Sequence, residues 1–403
     1  MMCFLVGTAA FVFLSLSFLT LASNTPYPKP LFSTGPKNDV PHSQETLLDS
    51  ITRGDWIAVD PQLPSILASL QERGSHRCWH KHSTFHEHLL SVHNILRIWN
   101  QDRRTCRVGL LHSAYSNSYV NLALYNITTD REIMREMIGE EAEEIVHLFC
   151  VIDRQQVVVN TLLRQGFIPA EGLQVPHLKN PNETVFLPEH ILRLLVVFTM
   201  ADIAEQYFGW QDELFGGGGD AGSMIIPHRD YVENHRVKAL WPGEAKPGLW
   251  MNYLSQLGQL LHSSTDCSSS VVPPPIFDNC SKTLTVSDEK KARDLYWSVI
   301  TGEVSEVPET VIATLLESHR LNPYAYEPLL LLAQTSLHQN DFDAAAKYAR
   351  KALQLAHMWG TPYDKRWSLA ASVAWGRVLE QRALDRLPWP GTAWEMNNLG
   401  LVR

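Results

Sequence analysis

The 403-residue sequence predicts an all-α protein, a helical bundle followed by a domain of helical hairpins. Three observations predict it. From Pro61 onward, apolar residues recur at helical spacing in one segment after another. Strand signals are nearly absent, "QVVVN" being too short to count. Near the C-terminus, "NPYAYEPLLLLAQTSLHQNDFDAAAKYARKALQLA" reads as two helices joined by a tight turn.

The opening stretch, "MMCFLVGTAAFVFLSLSFLTLAS", has no charged side chain and small residues at Thr20 and Ala22. It is expected to be a signal peptide, residues 1–23, cleaved before Asn24. The alternative is a retained signal anchor spanning residues 4–22, since the stretch approaches the ~20 residues that cross a bilayer. The chain would contact a membrane only in that second case. Residues 24–55 are rich in Pro and Ser and read as a linker.

Residues 56–262 carry the bundle. Leu63, Ile66, Leu67 and Leu70 share one helical face, which Gly74 ends. A second helix runs from about Thr84 to Trp99, with Phe85, Leu89, Val92 and Leu96 inward. A third ends at "VGLLHS". Gly139 divides "REIMREMIGEEAEEIVHLF" into two short helices, and another follows Pro188 through Asp202. That last one is apolar but short and charged, so it is a buried helix and not a membrane span. Residues 209–249 hold a glycine run, no period and no Gly-Lys-Ser/Thr, and so read as a flexible insertion, not a phosphate loop. The helix "MNYLSQLGQLL" closes the bundle. Residues 263–285 form a linker loop, and residues 286–403 the second helical domain.

The formal charge of -9 and the lack of a Lys/Arg stripe exclude a nucleic-acid binder. There is no Gly-x-Ser-x-Gly elbow, no Cys-x-x-Cys pair and no dinucleotide loop. Two features agree with passage through the secretory pathway, to the ER or Golgi lumen or the cell exterior. Asn126 and Asn182 head glycosylation triplets. Asn279 heads another, whose middle residue is Cys280. Cys267 and Cys280 flank an aperiodic loop, and a disulfide there would contribute about 3 kcal/mol. Otherwise the five cysteines beyond the leader are free, buried thiols.

Histidines are dense over 76–93: His76, His80, His82, His86, His88 and His93. If the helix begins early enough, His82, His86 and His93 share a face and His88 lies off it. Glu140, Glu141 and Glu144 read as a solvated helix face.

The C-terminal hairpin resembles a tetratricopeptide repeat (TPR), with Leu329, Leu332, Ala333, Phe342, Ala345 and Ala352 at the pattern's key positions. That resemblance implies stacked helices able to engage a protein partner through 286–403. In the first domain, His88, then "GLLHS" with His112, then "IGEEAEEIV", then "MADIAE" with Asp202 resemble in order the HD-domain phosphohydrolases, above all the alarmone hydrolases. The likeness covers roughly residues 75–207, with Arg77 before the first histidine. It implies a divalent metal, Mn²⁺ or Zn²⁺, held by His88, His112 and Asp202, and Arg77 as a ligand-binding residue. An uncharacterised plant and algal family, with "GLFHSAYSNSYVNL" at this place, is still more similar.

The HD pattern has aspartate after its second histidine; here Ser113 stands there. A bound metal would lower the pKa of its water, but a neutral serine oxygen replaces an anionic ligand. The resemblance therefore implies a degenerate site, non-catalytic or weakly catalytic, that binds a metal or phosphorylated ligand. Two alternatives stay open: an active phosphohydrolase whose ligand set is rebuilt with one more histidine, and a TPR-like scaffold on a purely structural bundle.

Overall fold

Several helix starts along the chain are set by side chains that accept from backbone N–H groups otherwise left orphaned. A computed structural model describes residues 42–117, 122–209, 246–263, 271–277, 283–304, 306–392 and 394–395. The leader, most of the 209–249 insertion, Cys267, Asn279 and Cys280 lie outside the described residues.

The first helices are α1 (His42–Arg53), α2 (Trp56–Val59) and α3 (Leu63–Glu72). The first of these corrects the linker expectation: residues 42–53 are helical, and Leu48 is buried. A 3-10 turn, Ser75–Arg77, leads into a small antiparallel hairpin of β1 (Trp79–His80) and β2 (Ser83–Thr84). Thr84 then accepts from Glu87 N at 3.2 Å and starts α4 (Phe85–Ile98). The helix therefore begins too late to include His82, and the shared face of His82, His86 and His93 does not form. Asp102 accepts from Thr105 N at 2.7 Å and starts α5 (Arg103–Leu111).

Gly139 separates α6 (Arg131–Ile138) from α7 (Glu140–Val151) with φ at 91°, a conformation glycine adopts without penalty. The segment containing "QVVVN" is a π-type helix, Gln156–Leu163. A second hairpin, β3 (Leu173–Pro176) with β4 (Thr184–Leu187), precedes α8 (Glu189–Gln206). Residues 192–205 of α8 are all buried, so it runs through the core. Among the described residues no helix is long and apolar enough to cross a membrane.

Next come α9 (Met251–Ser263), α10 (Val286–Ile300), α11 (Pro308–Leu321), α12 (Glu327–His338), α13 (Phe342–Trp359) and α14 (Leu369–Leu384). The all-α expectation is met among the described residues, where helices dominate and the strands amount to two short hairpins. The "QND" turn joins α12 to α13, and Ala333, Ala345, Ala349 and Ala352 are buried where these two helices meet.

The described residues belong to one compact unit. Trp99 donates to the Trp359 carbonyl at 3.1 Å, and the Trp250 and Trp359 rings meet edge-on at 5.1 Å. The 263–285 stretch is not a free linker where it is described, because Val271, Ile276, Phe277 and Leu284 enter the core. Glu289 on α10 binds the start of α9, accepting from the backbone N–H groups of Trp250, Met251 and Asn252 at 2.9–3.0 Å.

Gly109 lets α5 lie against α4; a Cβ there would sit 2.3 Å from a Leu96 methyl. Gly109→Ala should destabilise by about 1–3 kcal/mol, read from urea unfolding. Glu327 yields a pH signature. Burial pushes its carboxyl from near 4.5 to about 7, and the proximity of Asp364 adds to the rise. The folded chain thus holds a proton that the unfolded chain gives up near 4.5. This contribution is complete below pH 4.5 and is lost as pH rises through 7. Glu327→Gln should flatten the fall in melting temperature between pH 5 and 8; an unchanged slope would refute the assignment.

Candidate metal centre

Three helices converge on one buried point. His88 lies one turn into α4, His112 caps the C-terminal end of α5, and Asp202 lies near the end of α8. All three are buried, and one ligand atom from each lies within 4.8 Å of the others. Their separation in sequence is closed by packing: the Gly109 contact sets α5 on α4, and α4 packs on α8.

The hydrogen bonds fix which nitrogens are free. His88 Nδ1 lies 2.5 Å from Glu205 Oε2. His112 Nδ1 lies 2.7 Å from the Gly109 carbonyl. A carboxylate and a carbonyl only accept, so each Nδ1 carries a hydrogen, and Nε2 is the nitrogen through which a neutral ring would bind an ion. This is the outer arrangement that metal-binding histidines show. His88 Nε2 lies 3.5 Å from Asp202 Oδ1, long for a hydrogen bond but close to the ~3.3 Å expected between two ligands of one tetrahedral ion.

The protonation states also fit. Burial pushes His112 down to about 4, so its ring is neutral at physiological pH. Burial pushes Asp202 up, but Arg154, His112 and His88 outweigh it and hold the carboxyl below its ordinary range. Two imidazoles and one carboxylate form a donor set suited to Zn²⁺ or Mn²⁺.

One feature departs from a dedicated metal site. Arg154, just before the π-type helix, binds Asp202 Oδ2, and Gln206 donates to Oδ1 at 2.8 Å. A guanidinium thus supplies positive charge where an ion would. Arg154, and not Arg77, is the partner of Asp202; Arg77 is exposed on the 3-10 turn. Ser113 is buried, and its hydroxyl accepts from Asn117 Nδ2 at 2.8 Å.

Glu140, Glu141 and Glu144 are exposed, as the sequence implied. The buried member of that run is Glu143, held by Arg131 through two contacts of 2.7 Å and by the Tyr115 hydroxyl at 3.0 Å. It is not available as a ligand. His86 bonds Ser75 at 3.1 Å, and His93 is buried on the far side of α4 beside Asn94. Asn126 and Asn182 are both exposed. Cys78, Cys106 and Cys150 are free thiols.

Sequence reasoning missed Glu205, Lys365 and the hairpin. Glu205 follows Asp202 by three residues and so lies on the same helical face, a spacing that could have flagged it. His82 Nε2 approaches Glu205 Oε1 at 3.5 Å. Lys365 Nζ reaches the Ala204 carbonyl at 2.5 Å and Thr361 Oγ1 at 2.6 Å. Nothing local marks a lysine more than 150 residues away.

Residues 69–154 match a family model described as a domain of unknown function (DUF6817). That span holds His88, His112 and Arg154 but not Asp202. No curated protein and no solved structure matches the chain.

Asp202→Asn would leave Arg154 without its counter-charge in a mostly buried place. It should cost about 3 kcal/mol in chemical unfolding without added metal, and a loss under 0.5 kcal/mol would show the pair to be unimportant.

Proposed function

We propose that the chain is a secretory-pathway member of the HD type whose centre binds a divalent metal ion but has lost most or all hydrolytic power. The observation that carries this reading is the convergence of one ligand atom each from His88, His112 and Asp202 on one buried point while each Nδ1 is tied down. An HD-type site needs a second anion after its second histidine to hold the ion and orient the attacking water. Ser113 offers a neutral oxygen already engaged by Asn117, and Arg154 competes for Asp202. Both changes weaken the ion's hold and leave less negative charge to balance it.

The C-terminal helices are read as TPR-like, with partner contact through 286–403. A groove of about 270 Å³ supports that part, lined by Leu330, Leu331, Trp367 and Trp375. Exposed Asn126 and Asn182 agree with glycosylation in the secretory route.

The test is metal binding by calorimetry on the purified full chain with Zn²⁺ and Mn²⁺. We expect binding that His112→Ala abolishes and that Ser113→Asp tightens by about 10-fold or more. Hydrolysis of a panel of nucleotides and phosphoesters should be slow or absent in the wild type. Failure to bind either ion would overturn the reading, and rapid turnover would overturn its catalytic half.

A further inference from the structure

Resting on that metal-site reading, we infer that His80 is a fourth ligand, standing in for the acid missing at 113, and that the centre is a nitrogen-rich one suited to Zn²⁺ over Mn²⁺. His80 ends β1, and its ring centroid lies 4.5 Å from that of His88. Its Nε2 is buried and makes no hydrogen bond. A buried polar atom without a partner is costly, and most such atoms in proteins are paired. An electrophile beside His88 would satisfy it.

The hairpin holds His80 there by several ties. Phe85 N donates to the Cys78 carbonyl at 2.8 Å across its base. His80 pairs with Ser83 around a two-residue turn of Lys81 and His82. Lys81 has φ at 53°, a left-handed conformation that non-glycine residues seldom adopt. His82 at the turn approaches Glu205, the residue that orients His88. The hairpin is thus fastened to the same carboxylate that sets the first ligand. His80 is not among the side chains whose ligand atoms lie within 4.8 Å of one another, so its ring must turn towards them to join the centre.

The ligand exchange has a chemical consequence. Three imidazoles and one carboxylate replace two imidazoles and two carboxylates. The set becomes richer in nitrogen and less anionic, which favours Zn²⁺ and disfavours Mn²⁺, an ion better held by carboxylate and water.

The experiment uses the metal-free full chain, titrated with Zn²⁺ against a chromophoric chelator and separately with Mn²⁺, followed by X-ray absorption of the zinc-loaded protein. His80→Gln should weaken Zn²⁺ binding at least ~10-fold and change Mn²⁺ binding less. The absorption spectrum should lose one of three imidazoles. His80→Cys should restore tight Zn²⁺ binding through its thiolate, which a ring of merely structural value would not do. If His80→Gln binds Zn²⁺ as the wild type does while His112→Gln does not, the fourth-ligand assignment is overturned and the metal centre stands. If the wild type binds no metal, both are overturned. A matching unfolding midpoint for metal-free wild type and His80→Gln separates ligand loss from misfolding.

Discussion

Two carboxylates buried on one apolar helix, Asp202 and Glu205, must be neutralised, and much of the surrounding structure answers that requirement. Leaving either unpaired at such depth would cost several kcal/mol. Glu205 takes the Nδ1 hydrogen of His88, with His82 near its other oxygen. Asp202 takes Arg154 and Gln206. These partners come from the first hairpin, from α4, from the segment after α7 and from α8 itself. The pairing therefore ties distant parts of the chain to α8.

The same pairing shows what a lost acid does to a charged site. With aspartate at 113, the pocket would carry one more anion and call for a divalent ion more strongly. With serine, the guanidinium of Arg154 already balances the charge of Asp202, and the hydroxyl is consumed by Asn117. A metal must then displace Arg154 from Asp202 or share the carboxylate with it. That competition lowers affinity by the worth of a buried charge-assisted hydrogen bond, on the order of 1.5–3 kcal/mol, without altering the histidines at all. A site can in this way keep its shape while its grip on an ion loosens.

Much of this was legible in the sequence, and the limits follow from physics. The apolar stripe of Leu63, Ile66, Leu67 and Leu70, the Thr84 start and the Gly139 break depend on residues within a turn or two, so they could be read locally. His88, His112 and Asp202 could be named because their order resembles a known pattern, and the structure brings them together. The hairpin could not be read, since two residues per strand carry no alternation. A run of histidines invited a helical reading of His82 that the Thr84 cap forbids. Arg154 could not be assigned to Asp202 from sequence, since packing alone brings together two residues so far apart in the chain. The 263–285 stretch looked like a spacer by composition, yet Phe277 and Leu284 are buried, because Ser- and Pro-rich chain can still present single apolar anchors.

The C-terminal helices bear on the site itself. Thr361 Oγ1 and Lys365 Nζ both approach the Ala204 carbonyl, between Asp202 and Glu205 on α8. Burial pushes Lys365 down to about 7, while Glu205, Glu327 and Asp364 pull against that fall. Glu327, which starts α12, in turn accepts from the backbone of Tyr363 and Asp364 at 2.7 and 3.1 Å. A continuous chain of polar contacts thus runs from the start of the hairpin helices to the last turn of the helix that carries Asp202. Lys365 is thereby set against α8 beside Glu205, whose hydrogen bond orients His88. The two halves of the chain share one core, so the helices beyond residue 286 help to place the helix that carries Asp202.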